Sequence, residues 1–160
     1  VRDYLAFARP LESITRAPTA VDQLASDTVA LLEPRASEAG VTLEGRGPAL
    51  VAAVDARRVK EALLNLVLNA LEATPRGGRV ALTWANEADA VRIEVTDTGT
   101  GMDAATLARL ADAPFTTRPE GTGLGVRLAR RVAERHGGTL TYESTPSRGT
   151  TATMRLPSSG

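Results

Sequence analysis

Cysteine is absent from the 160 residues, which excludes disulfide frameworks, thiolate zinc sites, iron–sulfur clusters and cysteine nucleophiles. The same absence is compatible with a reducing cytoplasm. No apolar run approaches the roughly 20 residues that a membrane-spanning helix needs. The first residues also lack the basic segment and apolar segment of a signal peptide.

The composition is that of one globular domain, with 42% hydrophobic residues. Lys+Arg and Asp+Glu number 19 each, so the net charge gives no reason to expect nucleic acid or an anionic membrane as a partner. Lysine occurs once, so the positive charge is almost entirely arginine. The chain opens on Val1 rather than methionine, and we therefore expect a piece of a longer protein.

Periodic apolar residues predict helices and strands in an order without strict βαβ alternation. Such an order predicts a two-layer α/β sandwich, in which about three helices cover one face of a mixed sheet. Residues 1–9 are typical of the end of a helix that Pro10 stops, and a polar, proline-containing stretch follows. The predicted helices span about 21–39, with Gly40 as the C-cap, 56–74, with Asp55 as the N-cap, and 124–136. The predicted strands span about 41–45, 49–54, 80–84, 91–95, 138–145 and 149–156.

The helix predicted at 56–74 carries a broad apolar face and a narrow polar stripe that includes Asn65 and Asn69. A buried amide needs a partner, because leaving it unpaired costs about 1–3 kcal/mol. Two asparagines bonded to loop backbone would satisfy that need. Alternatively, an asparagine oxygen provides the single protein ligand for a Mg²⁺ ion that a nucleotide carries.

Two glycine-rich segments are candidates for ligand binding. Asp97-Thr98-Gly99-Thr100-Gly101 follows a strand, so Asp97 could accept a hydrogen bond from an amino group such as that of adenine, or simply form a turn. Gly121-Thr122-Gly123-Leu124-Gly125 leads into a helix, where exposed N–H groups bind phosphate or the glycines act as a hinge. The sequence has no P-loop pattern.

His136 is the only histidine, and it lies at the predicted C-terminal end of a helix before Gly137-Gly138. A cation at that end suits the helix dipole, so the position predicts a structural, charged histidine. It offers no support for a serine hydrolase or a histidine-ligated metal site.

Together these segments resemble the ATP-binding catalytic domain of bacterial sensor histidine kinases, in the superfamily of gyrase, the ninety-kilodalton heat-shock chaperone and mismatch-repair ATPases. The resemblance covers roughly residues 41–157. Its motifs are an N-box at 61–70, a first glycine box at 97–102, a phenylalanine box at 113–118, a second glycine box at 121–125 and a closing strand at 149–151. Residues 1–10 are similar to the end of the upstream dimerisation helix, which leaves 11–160 as the catalytic domain.

The resemblance implies a Bergerat-type fold, a flexible ATP lid at about 102–120, and the cofactors ATP and Mg²⁺. Asp97 would bind adenine with help from Thr150, Asn69 would ligate Mg²⁺, Asn65 would approach the phosphates, and Arg118 would reach the terminal phosphate. The remaining residues implied to contact ATP or to hinge the lid are Gly99, Gly101, Phe115, Gly121, Thr122, Gly123, Leu124 and Gly125.

Some positions depart from the family pattern. Hydrolysing relatives carry a glutamate where this chain has Asn65, and an amide cannot take a proton from water, so transfer to a protein side chain is favoured over hydrolysis. Phe115 is the lone aromatic residue of its box, and Arg127 stands where small residues are common. His136 does not match the phospho-acceptor pattern, which places the acceptor outside this chain.

The leading hypothesis is therefore the kinase domain of a two-component sensor, which phosphorylates a histidine on upstream helices. Its partners would be the parent's own dimerisation and phospho-acceptor domain in a homodimer, and a response regulator. We expect a cytoplasmic domain whose parent protein is free or membrane-anchored. The alternatives are an anti-sigma-type serine kinase of the same superfamily and a non-catalytic nucleotide-binding docking module.

Overall fold

The fold, seen in a computed structural model, is a mixed five-stranded sheet with three helices packed against it. The structure describes residues 13–99 and 122–158, without the side chains of 122–126. The helices are α1 (Val21–Ala39), α2 (Ala56–Ala73) and α3 (Thr122–Arg135). The strands are β1 (Ala17–Ala20), β2 (Thr42–Arg46), β3 (Val51–Val54), β4 (Arg79–Glu87), β5 (Ala90–Asp97), β6 (Thr139–Thr145) and β7 (Gly149–Pro157).

The sheet has the strand order β2-β4-β5-β7-β6, in which β2 and β4 are parallel and the other neighbours are antiparallel. Alternate side chains of β4, at Val80, Leu82 and Trp84, are buried, while the residues between them are partly exposed. This alternation is expected when helices cover one face of a sheet. The predicted α/β sandwich is thus confirmed.

Helix α2 is the central helix, since it packs against both α1 and α3. Asp55 is its N-cap, as predicted, and the carboxylate Oδ1 accepts a hydrogen bond from Arg58 N at 3.2 Å. All the apolar residues predicted to face the core are buried: Val59, Ala62, Leu63, Leu66, Val67, Ala70 and Leu71. This face fixes the rotation of α2 and therefore the direction of its polar stripe.

A small second sheet, made of β1 and β3 in antiparallel pairing, was not predicted. Residues 17–20 were interpreted as part of a polar connection, but they form β1. Strand β3 pairs with β1, whereas β2 joins the five-stranded sheet. The two strands on either side of residues 47–50 therefore belong to different sheets.

His136 is buried and neutral, so the predicted charge is wrong although the structural role is right. Its Nε2 accepts a hydrogen bond from Asp55 N at 3.0 Å, and an accepting nitrogen carries no proton. Its Nδ1 lies 2.8 Å from Val132 O, to which it donates in that tautomer. Burial, followed by the nearby charge of Arg16, lowers the pKa of His136, although Val132 and Asp55 act in the opposite direction.

The chain is expected to lose stability as the pH falls below about 6.5, the ordinary pKa of histidine. Below that pH the unfolded state binds a proton that the folded state resists, so the free energy of unfolding decreases. Urea unfolding of the wild type and of His136→Gln at pH 8 and pH 5 measures this effect. The variant should show a smaller loss between the two pH values, and an equal loss would contradict a neutral, buried His136.

Candidate functional site

Three polar side chains lie in one row at the end of the otherwise apolar, helix-facing side of the sheet. Asp97 on β5 is paired with Thr150 on β7, and Thr150 is paired with Ser144 on β6. Next to this row on the same face are Val95 and Ala152, which are buried. The site thus combines polar groups with an apolar floor, as small-molecule sites commonly do.

Asp97 is buried, with only 6% of its surface exposed. Its Oδ1 accepts hydrogen bonds from Gly99 N at 2.8 Å and from Thr150 N at 3.2 Å. Among the residues that the structure describes, no donor reaches Oδ2. Burial raises the pKa of Asp97, and the two amide hydrogen bonds oppose that shift by stabilising the anion. One carboxylate oxygen is therefore held in place while the other is left for a ligand.

Gly99 brings the turn after β5 against the end of α2. A Cβ atom at Gly99 would collide with the carbonyl oxygen of Ala73, so only glycine allows this approach. Thr98 fixes the same turn to β4, because its N donates to Arg79 O at 3.1 Å and its Oγ1 accepts from Arg79 N at 3.0 Å. The conformation of the turn that carries Asp97 is thus set by contacts on two sides.

Asn69 lies one helical turn before Ala73, on the side of α2 that approaches this turn. Its Nδ2 is buried and has no hydrogen-bond partner among the residues that the structure describes. Asn65, one turn earlier, donates from Nδ2 to Glu61 O at 2.8 Å, which leaves its Oδ1 for another contact. The simpler interpretation of the polar stripe requires both amides to form hydrogen bonds with loop backbone. In the described part of the chain, neither amide does so.

The chemistry of Asn69 fits a magnesium ion that arrives with a nucleotide. Within the described residues its Nδ2 makes no hydrogen bond, and the oxygen of such an amide is a suitable ligand for this hard cation. Residues 13–99 and 122–158 contain no group of three or more histidine, cysteine, aspartate or glutamate side chains able to hold a metal. If Asn69 is the protein ligand, phosphate oxygens and water would supply the rest.

The other predicted site residues divide into two groups. Gly101, Phe115, Arg118 and Gly121, together with the predicted lid at 102–120, lie outside the described residues. Thr122, Gly123, Leu124 and Gly125 form the first turn of α3, which begins slightly earlier than the predicted 124. The N–H groups of a first helical turn have no acceptor within the helix, so they remain available to an anion.

Ser144 is a further polar residue of the candidate site, and the sequence patterns did not indicate it. Its Oγ lies 2.8 Å from Thr150 Oγ1, and it also donates to Gly149 O at 3.1 Å. The signal in the sequence was weak, because it consisted of two hydroxyl residues flanking a predicted turn between two strands. Only the register of β6 and β7 shows that they face each other.

Comparison with known proteins identifies related chains. The model of the family "Histidine kinase-, DNA gyrase B-, and HSP90-like ATPase" matches residues 54–160. The histidine protein kinase DivJ of Caulobacter vibrioides is 42% identical over 79% of this chain and 22% of its own length. The sensor protein DegM of a Bacillus species is 33% identical over 98% of this chain and 42% of its own length.

A solved structure, full-length ShkA in complex with AMPPNP, is 30% identical and superposes with a TM-score of 0.85 over 98% of this chain and 34% of that chain. The chain spans less than half the length of the curated relatives it matches. No helix in the described part of the chain is long and apolar enough to cross a membrane. From the family match and these relatives, we conclude that the chain belongs to the histidine kinase-, DNA gyrase B- and HSP90-like ATPases.

Proposed function

We propose that this chain is the ATP-binding catalytic domain of a sensor histidine kinase, which transfers the γ-phosphoryl group of ATP to a histidine outside the chain. One observation carries the proposal: the buried Asp97 carboxylate has Oδ1 occupied by two backbone amides and Oδ2 left for a ligand. The relative that is 42% identical is named a histidine protein kinase and the one that is 33% identical a sensor protein, and both names support the proposal, as does the nucleotide analogue in the ShkA structure.

In this proposal Asp97 accepts a hydrogen bond from the amino group of adenine, and Thr150 assists beside it. The purine ring lies over the apolar floor that Val95 and Ala152 form next to them. Apolar contact supplies affinity for the flat ring, and the carboxylate gives the ring its orientation. Gly99 holds the turn that carries Asp97 against the end of α2.

The phosphates extend towards the polar stripe of α2 and the first turn of α3. Asn69 would bind the metal, Asn65 would approach the phosphates, and Arg118 would reach the terminal phosphate. Magnesium bound with ATP would neutralise the charge that develops on the transferred group. Because phosphoryl transfer depends on positioning and electrostatics, these side chains orient the γ-phosphate for an incoming nucleophile.

The nucleophile comes from outside this chain in the proposed reaction. His136 is the only histidine in the sequence, it is buried, and both of its ring nitrogens are engaged in hydrogen bonds. It therefore has no nitrogen to offer to a phosphoryl group. Asn65 is an amide and cannot activate water, so hydrolysis of ATP by the isolated chain would be slow.

The proposed partners follow from the need for an acceptor histidine outside this chain. The acceptor histidine would lie on upstream dimerisation helices of the parent protein, and the parent would act as a homodimer in the cytoplasm. Residues 1–10, which lie outside the described residues, would be the end of those helices. A response regulator would then take the phosphoryl group from that histidine.

The test compares the chain alone with the chain mixed with the parent's dimerisation helices, using ATP labelled at the γ-phosphate. Alone, the chain should bind Mg·ATP but neither label itself nor release phosphate appreciably. With the helices in trans, acid-labile label should appear on them, slowly because the covalent tether that raises effective concentration is missing. The His136→Gln variant of the chain should phosphorylate the added helices at the wild-type rate.

Label on His136 of the isolated chain would contradict the proposal. Rapid phosphate release by the chain alone would contradict it as well, and would place the protein with the hydrolysing members of the family. Binding of Mg·ATP without any label on the added helices would favour a nucleotide-binding docking module.

A further inference from the structure

The segment by which the chain enters the domain, residues 13–16, has no helix or strand of its own and is held by hydrogen bonds from Thr15 and Arg16. Thr15 N donates to Asp55 Oδ2 at 2.8 Å, and Arg16 Nη2 donates to His136 O at 2.9 Å. Asp55 and His136 are themselves joined, since Asp55 N donates to His136 Nε2 at 3.0 Å. We call these four residues the entry clamp.

The entry clamp uses groups that the ends of two helices leave available. Asp55 is the N-cap of α2, and its Oδ1 accepts from Arg58 N while its Oδ2 accepts from Thr15 N. The carbonyl of His136 follows the last residue of α3, where carbonyl groups lack donors within the helix and the helix dipole favours a cation. His136 itself was expected to supply that cation, and the structure shows Arg16 in its place.

The entry clamp lies at the ends of α2 and α3 that are remote from the proposed phosphate site. Asn69 comes 14 residues after Asp55 on α2, which is roughly 21 Å at 1.5 Å per residue. The first turn of α3 starts at Thr122, 14 residues before His136, and lies at a similar distance. A closed clamp therefore holds the entry segment at one end of the domain, while the phosphates bind at the other.

The hydrogen bonds of the entry clamp are weak enough to open. Thr15 and Arg16 are exposed residues, and a hydrogen bond that competes with water favours the closed state only about two- to tenfold. Two such bonds together favour closure roughly 5–100-fold. Opening would stop at residue 17, because β1 pairs with β3 along Ala17–Ala20.

We propose that the entry clamp restrains phosphoryl transfer, because it keeps the phosphate end of the domain away from the acceptor histidine of the parent protein. The inference rests on the proposed function, in which that histidine precedes this chain and is covalently joined to it. With the clamp closed, the four residues 11–14 separate the predicted helix end at residue 10 from Thr15. Opening adds Thr15 and Arg16 to that connection and extends its reach by up to about 7 Å.

The experiment measures label transfer from γ-labelled Mg·ATP in two settings. One is the longer chain of the parent, in which the dimerisation helices precede residue 1, and the other is this chain with the helices added in trans. Arg16→Gln removes one bond of the entry clamp and should raise the rate within the longer chain roughly two- to tenfold, because that rate follows the open fraction. The rate to added helices and the affinity for ATP should not change, since neither depends on the connection.

Asp55→Ser is a second variant that keeps α2 capped. Serine is as good an N-cap as aspartate, but its shorter side chain has one oxygen in place of two, so it keeps the bond from Arg58 N and gives up the one from Thr15 N. Transfer within the longer chain should rise as in Arg16→Gln, and hydrogen exchange at the Thr15 amide should become faster. Arg35→Gln, which removes an exposed arginine of α1, is the control and should change neither rate.

The outcomes distinguish this inference from the proposed function. An unchanged or lower rate within the longer chain, in either clamp variant that stays folded, would overturn the inference and leave the kinase proposal standing. An equal rise in both settings would place the effect in the nucleotide site and would overturn the inference as well. If the wild type produces no label in either setting, the proposed function is wrong and this inference falls with it.

Discussion

Replacing Asp97 with asparagine is expected to weaken ATP binding by roughly 10–100-fold while the chain stays folded. The asparagine Oδ1 can still accept from Gly99 N and Thr150 N, so the turn keeps its conformation. Its Nδ2 then takes the place of Oδ2 and points a donor at the amino group of adenine. The loss combines a missing charge-assisted hydrogen bond with a clash of two donors.

The same substitution is expected to raise the stability of the nucleotide-free chain near neutral pH. Burial raises the pKa of Asp97 above its ordinary 3.8, so the folded state holds its proton more tightly than the unfolded state. The contribution of Asp97 to the free energy of unfolding is therefore fully present below pH 3.8. It is lost as the pH rises through the pKa that Asp97 has in the folded state. Asparagine avoids that loss because it never ionises.

Calorimetric titration with ATP measures the change in affinity, and thermal unfolding at pH 7 measures the change in stability, on one preparation of the variant. Glu143→Gln is the matched control, since it neutralises an exposed carboxylate on β6. It should leave ATP affinity and melting temperature unchanged. An Asp97→Asn variant that binds ATP as tightly as the wild type would refute the adenine-binding role of this residue.

The fold was predictable from sequence where short-range patterns determine it. The apolar face of α2 follows from helical spacing, and Asp55 lies where an N-cap must be, so both were predicted correctly. The helix at 21–39 was predicted with its C-cap, because Gly40 adopts φ +71°, a conformation that favours glycine. Asp97 was recognisable for a similar reason, since it ends a strand beside closely spaced glycines.

The features that were missed depend on contacts between distant parts of the chain. Strand β1 has few apolar residues, and it exists because its backbone pairs with β3 more than thirty residues away. His136 was given the wrong charge because Asp55 N, its hydrogen-bond donor, lies 81 positions away in the sequence. The position of Ser144 opposite Thr150 was missed because it depends on strand register, which short-range patterns do not determine.

Replacing Asn69 with alanine is expected to abolish phosphotransfer in the presence of the acceptor helices and to remove the magnesium-dependent part of ATP binding. Metal-free binding of the adenosine end should remain, because Asp97 and the apolar floor are untouched. The chain should stay folded, since within residues 13–99 and 122–158 Asn69 Nδ2 makes no hydrogen bond that the substitution could break. Removing a buried, unpartnered amide even relieves a desolvation cost of about 1–3 kcal/mol, which offsets lost packing.

Titrations of the variant with ATP, in magnesium and in EDTA, separate these contributions from damage to the fold. The wild type should bind more tightly in magnesium than in EDTA, whereas Asn69→Ala should bind with the same affinity in both. Asn86→Ala, which truncates an exposed amide near the end of β4, is the control and should keep the wild-type response to magnesium. If Asn69→Ala keeps that response and transfers phosphate at the wild-type rate, the residue is a core amide and the metal ligand must be sought elsewhere on the chain.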